Sequence, residues 1–201
     1  MRRIAVLSAL LLSSACGARQ RPLPAGPVGV SPSPAATGAP RPGEIVGALD
    51  LDHDGHADVW SFSVKGPDGA PVVVRKEKDL DHDGRIDCWE AYDAGGALTR
   101  LAYDMDLDGR PDLTLDFEEG RLVRKAYDFG LDGLPRTVAF YEGASLVRRE
   151  RDTNRDGRVD TWEYWKDGQV ERIGVDLDGD GQVDRWEIRP AAPAPGPAPR
   201  P

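Results

Sequence analysis

Cysteine and histidine are scarce in this chain of 201 residues, which holds 2 Cys and 3 His. Two cysteines, Cys16 and Cys88, cannot build the multi-bridge framework of a small disulfide scaffold. The chain has no Gly-x-Ser-x-Gly elbow, no His-Glu-x-x-His pair, no phosphate-cradling glycine loop and no Cys–His pairing. No catalytic residue is therefore assigned, and the chain is not expected to be an enzyme. Positive charge is also in deficit: 26 Lys and Arg against 35 Asp and Glu give a net charge of −9. Nucleic acid binding relies on basic patches that displace counterions, so nucleic acid is not an expected partner. Leu, Ile and Val are sparse, and a large core is not expected. That leaves room for bound metal to contribute to folding.

What is present begins with a basic Met1-Arg2-Arg3, an apolar run from Ile4 to Leu12, and the small residues Ser13-Ser14-Ala15 before Cys16. This is the layout of a secretory signal peptide over residues 1–15, too short to span a membrane as a helix. The small residues ending at a cysteine resemble the lipobox of bacterial lipoproteins. The match departs from the pattern at Ser13, where a Leu is usual, with Leu12 one place further back. The resemblance implies that Cys16 is lipidated and that more than one acyl chain anchors the protein firmly. Gly17 follows Cys16 where a retained inner-membrane protein would carry Asp, so the resemblance implies an outer membrane lipoprotein, facing the periplasm or the cell surface. Residues 16–43 read as the lipidated cysteine and a Pro/Gly/Ala-rich disordered linker. Residues 190–201 read as a disordered Pro/Ala tail.

Residues 44–189 are repetitive. An Asp precedes a Gly or stands in the equivalent place six times, at Asp54, Asp83, Asp108, Asp132, Asp156 and Asp180, with spacings of 29, 25, 24, 24 and 24 residues. A fixed period of this kind is the mark of a repeat architecture. The copy from Asp152 reads Asp152-Thr-Asn154-Arg-Asp156-Gly157-Arg-Val159-Asp160-Thr-Trp162-Glu163. It has the order of an EF-hand-type calcium loop: oxygen donors at positions 1, 3 and 5, Gly at 6, an apolar residue at 8, Asp at 9 and Glu at 12.

The period leaves no space for EF-hand helices. Beyond a 12-residue loop only about 12 residues remain, and they contain a turn signal such as Asp167-Gly168, Gly95-Gly96 or Glu119-Gly120. Arms of about five residues are too short for stable helices but suit strands. The expectation is an all-β fold: an antiparallel meander of about six 24-residue hairpin repeats joined by EF-hand-like calcium loops, as an open sheet or solenoid-like. Leu98, Leu122, Leu146 and Val170 share one place in the return strands, expected to be buried. Arg100, Arg124, Arg148 and Arg172 share another, expected to face solvent and balance the acidic loops, or else to form a stripe that binds anions or glycans. Trp60, Trp89, Trp162 and Trp186 form one aromatic series and Tyr92, Phe117, Tyr141 and Trp165 a second, both expected as core layers.

Five loops keep the acidic set expected to bind Ca2+: Asp50, Asp52, Asp54 and Asp58; Asp79, Asp81, Asp83 and Asp87; Asp104, Asp106, Asp108 and Asp112; Asp152, Asn154, Asp156 and Asp160; Asp176, Asp178, Asp180 and Asp184. Glu90, Glu163 and Glu187 complete position 12 in three copies, whereas Ser61 and Leu115 stand there in two. Calcium takes six to eight oxygens, and carboxylates at alternating places of a tight loop converge on one point. Without a cation, like charges that close repel. In the fourth copy Gly130 stands at position 3 and Arg136 at position 9. No calcium is expected there, and Arg136 is expected to pair with Asp128 or Asp132.

These loops resemble those of EF-hands and dockerins, thrombospondin type 3 repeats and the FG-GAP loops of integrin-type propellers. The resemblance covers the loops alone. Dockerins have helices, thrombospondin type 3 repeats have regular cysteines, and FG-GAP blades are about twice as long. The hairpin length is similar to that of MORN-type repeats, which lack calcium loops. Of the three histidines, His53 and His82 stand at loop position 4, which normally points away from the ion; a zinc site built from His53, His56 and His82 is a minor alternative, and Cys88 alternates with Ile86 as a small buried residue would. The function expected from the residues is a non-enzymatic calcium-binding repeat lipoprotein of the cell envelope with a structural, adhesive or interaction role. The alternatives are a module that recognises a polysaccharide or protein through its aromatic and Arg faces, and a hydrolase with structural calcium.

Overall fold

The computed structural model describes residues 39–128, 130, 134 and 136–189. The expected signal peptide, Cys16, most of the linker, Asp132 and the Pro/Ala tail lie outside the described residues. Twelve strands follow one another: β1 (Ile45–Leu49), β2 (Val59–Lys65), β3 (Pro71–Lys78), β4 (Cys88–Tyr92), β5 (Leu98–Tyr103), β6 (Leu113–Glu118), β7 (Arg121–Tyr127), β8 (Thr137–Glu142), β9 (Ser145–Arg151), β10 (Thr161–Lys166), β11 (Gln169–Val175) and β12 (Arg185–Ile188). Runs such as Thr161-Trp162-Glu163-Tyr164-Trp165 are rich in residues that fit a pleated surface.

The strands form a single sheet in sequence order, each antiparallel to its neighbours, with β1 and β12 as the two edges. The fold is an open all-β meander, and no helix occurs among the described residues. Tight turns join β2–β3, β4–β5, β6–β7, β8–β9 and β10–β11. In Glu119-Gly120 and Asp167-Gly168 both residues have positive φ (50° and 74°, 51° and 76°), the hairpin geometry of a type I′ turn. The aspartate loops make the other connections. Strict alternation therefore gathers every loop at one end of the sheet and every tight turn at the other.

Each of the five hairpins carries a register shift at the same place, between Phe62/Ser63, Ala91/Tyr92, Asp116/Phe117, Phe140/Tyr141 and Tyr164/Trp165. Ala91 pairs with Arg100 and Tyr92 with Leu98, so Thr99 is an extra, bulged residue. Residues directly opposite share a face. The bulge thus sends Leu98 to one face with Tyr92, and Arg100 to the other with Ala91. The leucine series lies beside the Tyr92, Phe117, Tyr141 and Trp165 series on one face. The arginine series shares the opposite face with the tryptophan series.

The buried apolar set is small: Phe62, Ile86, Cys88, Ala102, Ala126, Val138, Ala139, Val159 and Trp162. Cys88 and Ile86 are buried, and burial pushes the Cys88 thiol up to about 11. Of the tryptophan series only Trp162 is buried, at 6% exposure, and Trp186 on the edge strand is 45% exposed. The arginine series departs from a solvated ladder. Arg100 is exposed, but Arg124, Arg148 and Arg172 are half-buried. Arg148 lies 4.1 Å over the Phe140 ring, and Arg172 lies 4.4 Å over Tyr164 and 4.8 Å over Trp186. Arg75, the equivalent residue of β3, is buried 3.2 Å over Phe62. Planar guanidinium groups stack on aromatic faces, which the cross-strand register supplies.

Candidate metal centres

The ends of the five acidic loops are tied into the sheet. The position 9 amide donates to the carbonyl just before position 1: Asp58 to Leu49 (2.9 Å), Asp87 to Lys78 (2.9 Å), Asp112 to Tyr103 (2.8 Å), Asp160 to Arg151 (2.9 Å) and Asp184 to Val175 (3.0 Å). The position 1 amide of the next loop donates to the preceding position 9 carbonyl: Asp79 to Asp58, Asp104 to Asp87 and Asp128 to Asp112 (each 2.8 Å), and Asp176 to Asp160 (2.9 Å). The backbone ladder therefore continues into the loops, and the aspartates of positions 1 and 9 stand in one row along the end of the sheet.

The third loop shows the interior. Asp104 Oδ1 accepts from the Leu107 amide at 2.8 Å and its Oδ2 from the Gly109 amide at 2.6 Å. Asp112 Oδ2 accepts from the amides of Met105 (2.7 Å) and Asp106 (3.2 Å). Asp106 Oδ1 accepts from Asp108 N–H (3.2 Å), and Asp108 Oδ1 from Arg110 N–H (2.9 Å). These bonds curl the loop through two left-handed residues. One is the glycine at position 6, φ 89° at Gly109; the other is position 4, φ 67° at His53, 63° at His82, 65° at Leu107, 67° at Arg155 and 79° at Gly179. The second requirement is hidden in the sequence, where only Gly179 hints at it.

The curl sorts the carboxylates by depth. Asp58, Asp79, Asp87, Asp104, Asp112, Asp128, Asp152, Asp160 and Asp176 are buried, at 3–8% exposure, whereas positions 3 and 5 of the five acidic loops are exposed. Asp50 is half-buried and Asp184 exposed, as befits the two ends of the row. Single oxygens of Asp50, Asp52 and Asp54, of Asp79, Asp81 and Asp87, of Asp104, Asp106 and Asp108, and of Asp176, Asp178 and Asp184 lie within 4.8 Å of one another in each group. The fifth loop has Asn154 at position 3, which accepts from Asp156 N–H at 2.9 Å in the same fold.

Among the described residues, no Lys or Arg nitrogen comes within salt-bridge distance of the buried carboxylates Asp79, Asp87, Asp104, Asp112, Asp152, Asp160 or Asp176. Burial raises the pKa of Asp87; the amides of Leu80 and Asp81 pull it down, and the charges of Asp81 and Asp79 push it up again. Asp112 is raised in the same way, by burial and then by Asp106 and Asp104. Asp79 Oδ1 is buried with no hydrogen-bond partner. An ionised, buried carboxylate without a counter-charge costs several kcal/mol, of order 3 or more.

The glutamates of position 12 are not brought to these clusters. Glu163 is 3% exposed and binds Arg149 (2.5 Å) and Arg151 (2.6 Å) across the sheet. Glu90 binds Lys78 and Tyr92, and Glu187 lies 3.0 Å from Arg185. By position 12 the chain has entered the pleat, and the side chain meets partners on its own face of the sheet, across strands for Glu163 with Arg149 and Arg151 and for Glu90 with Lys78, and along β12 for Glu187 with Arg185.

No described protein family matches the chain, and no curated protein matches it. Among solved structures, one similar chain is in the crystal structure of a GtfA/B complex, with 18% identity and a TM-score of 0.37, covering 50% of this chain and 19% of that one. Another is in the Glycosylation Associate Protein (Gap123) complex from Streptococcus agalactiae, with 12% identity and a TM-score of 0.29, covering 59% of this chain and 19% of that one. This chain thus spans about a fifth of the length of either.

Proposed function

We propose that this protein is a non-catalytic calcium-binding sheet of the cell envelope, lipid-anchored through Cys16, with a structural, adhesive or interaction role. The observation that carries the reading is the row of buried aspartates along one sheet end: among the described residues, no Lys or Arg meets them in five of the six loops, and Asp58 alone has a histidine beside it. Divalent cations held by oxygens of positions 1, 3, 5 and 9 supply that charge, and calcium tolerates the irregular oxygen geometry of such loops. Ions placed between strands would stiffen a single-layered sheet that has little apolar core. An envelope location suits weak sites, because extracellular modules work at about 10⁻⁴–10⁻³ M calcium.

A second reading, recognition of a polysaccharide or partner protein, is favoured by one place: the exposed Trp186 beside Arg172 and Tyr164 at the β12 edge. The deciding experiment is calorimetric titration of the chain with calcium, followed by thermal melts with and without chelator and by labelling of the buried Cys88 thiol. The expected result is about five ions, β-rich circular dichroism, a Tm that falls sharply with chelator, and faster Cys88 labelling once calcium is removed. An absence of binding at millimolar calcium overturns the proposal.

A further inference from the structure

The first two loops differ from the others in holding all three histidines of the chain. His53 keeps to its own loop, with Nδ1 3.2 Å from the Leu51 carbonyl oxygen. His82 reaches across to the first loop. Its Nδ1 lies 2.9 Å from Asp58 Oδ1 and 3.6 Å from Asp52 Oδ2. The same position 4 carries Leu107, Arg155 and Gly179 in later loops, none of which offers a metal donor.

We propose that Asp52, Asp58 and His82 form a mixed carboxylate–imidazole site for a first-row transition dication such as Zn2+. The donor separations bracket the ~3.0–3.4 Å expected around an ion with bonds of about 2.0–2.2 Å. The nitrogen is the discriminating atom. Carboxylate and water suit calcium, whereas imidazole suits zinc, copper, iron and nickel.

A second observation points to a ligand at this place. A cleft of about 340 Å³ lies between the two loops, lined by Asp54, His56, Asp58, Trp60, Asp79 and His82 among others. Asp79, 4% exposed, also lines the cleft, and its Oδ1 lacks any hydrogen-bond partner. The cleft gives room for a hydrated ion beside Asp58 and His82, and the His82 side chain is 40% exposed on its rim. Asp52 also belongs to the oxygen group of the first loop, so the transition ion competes with calcium there and not in the loops further along. That competition rests on the calcium reading; the mixed site itself does not.

The test is titration of the full chain with Zn2+ in millimolar calcium, read by calorimetry and by Co2+ quenching of Trp60 in the same cleft. The expected result is one tight equivalent that lowers the calcium count by one. His82→Leu, which copies the residue type of Leu107 at the same backbone conformation, weakens Zn2+ at least about tenfold. His82→Asn, whose side chain tolerates the left-handed backbone, does the same if His82→Leu folds poorly. His53→Leu leaves the zinc equivalent in place. Calcium binding without any zinc equivalent, or His82 variants that bind Zn2+ within about twofold of the parent, overturns the inference and leaves His82 and Asp58 as an ion pair only. A His82-dependent zinc equivalent in a chain that binds no calcium overturns the calcium reading and upholds this site.

Discussion

Arg136 holds its Nη1 3.6 Å from Asp128 Oδ1, in the one loop that lacks the acidic set; the Asp128 side chain is fully buried. A Cβ on Gly130 would overlap the Arg136 guanidinium, so the glycine at position 3 makes room for it. The arginine thus stands where the other loops converge their carboxylates. It is a covalently tethered cation, and the expected pairing of Arg136 with Asp128 is present, while Asp132 lies outside the described residues.

Arg136→Ala therefore removes the counter-charge of a buried carboxylate, at a cost of about 3–5 kcal/mol. The loss is the same in calcium and in chelator, and thermal melts in both buffers measure it. An unchanged Tm refutes the role. The double substitution Gly130→Asp with Arg136→Asp rebuilds the acidic set and is expected to add one calcium to the stoichiometry.

Glu163→Gln separates the loop from the strand. Glu163 is engaged by Arg149 and Arg151, so the variant keeps the calcium stoichiometry and calcium affinity of the parent. It loses about 2 kcal/mol of stability, less than a fully buried pair because both arginines are partly exposed. A lost calcium equivalent in the titration would show that this glutamate is a ligand after all.

Leu107 occupies a left-handed backbone, φ 65°, with its side chain 42% exposed. A branched residue there costs about 1–2 kcal/mol, and Asn tolerates the conformation. Leu107→Asn is expected to raise stability by about 0.5–1 kcal/mol, measured by denaturant titration in saturating calcium. Leu107 holds no metal donor, so the calcium count stays constant.

Glu150 sits on β9 between Val138 and Trp162 and is 6% exposed. Burial raises its pKa, against the lowering by Arg148 and Arg124. The folded state then binds the proton more tightly than the unfolded state. Between the unfolded and folded pKa values stability falls as pH rises, and the loss persists above that window. Glu150→Gln is expected to melt higher than the parent at neutral pH and level with it below about pH 4, where both carry a neutral side chain. Melting curves over that range give the sign directly.

The strands and their connections were legible because they depend on distances within one repeat. A period of 24 residues with a 12-residue loop and an Asp-Gly or Gly-Gly turn admits hairpins and little else. The loop chemistry was equally local: Gly109 at position 6 and acids at alternating places announce a tight turn lined with oxygens. The burial of Cys88 and Ile86 followed from their alternation. The position of Glu163 was not legible, because its partners Arg149 and Arg151 are assigned by pairing between β9 and β10.

The sequence by itself determined the repeat, the all-β class and the convergence of aspartates in the loops, since each follows from residue spacings within one period of about 24 residues. Tertiary structure decided which members of each acidic set are deep. Positions 1 and 9 are buried because their amides join the ladder from loop to loop, as in Asp104 N–H to Asp87 O at 2.8 Å. It also decided that Leu98 and Arg100, two places apart, face opposite sides, because a bulge at Thr99 reverses the alternation. And it brought His82 to Asp58, 24 residues away, a meeting that only the register of adjacent strands can arrange.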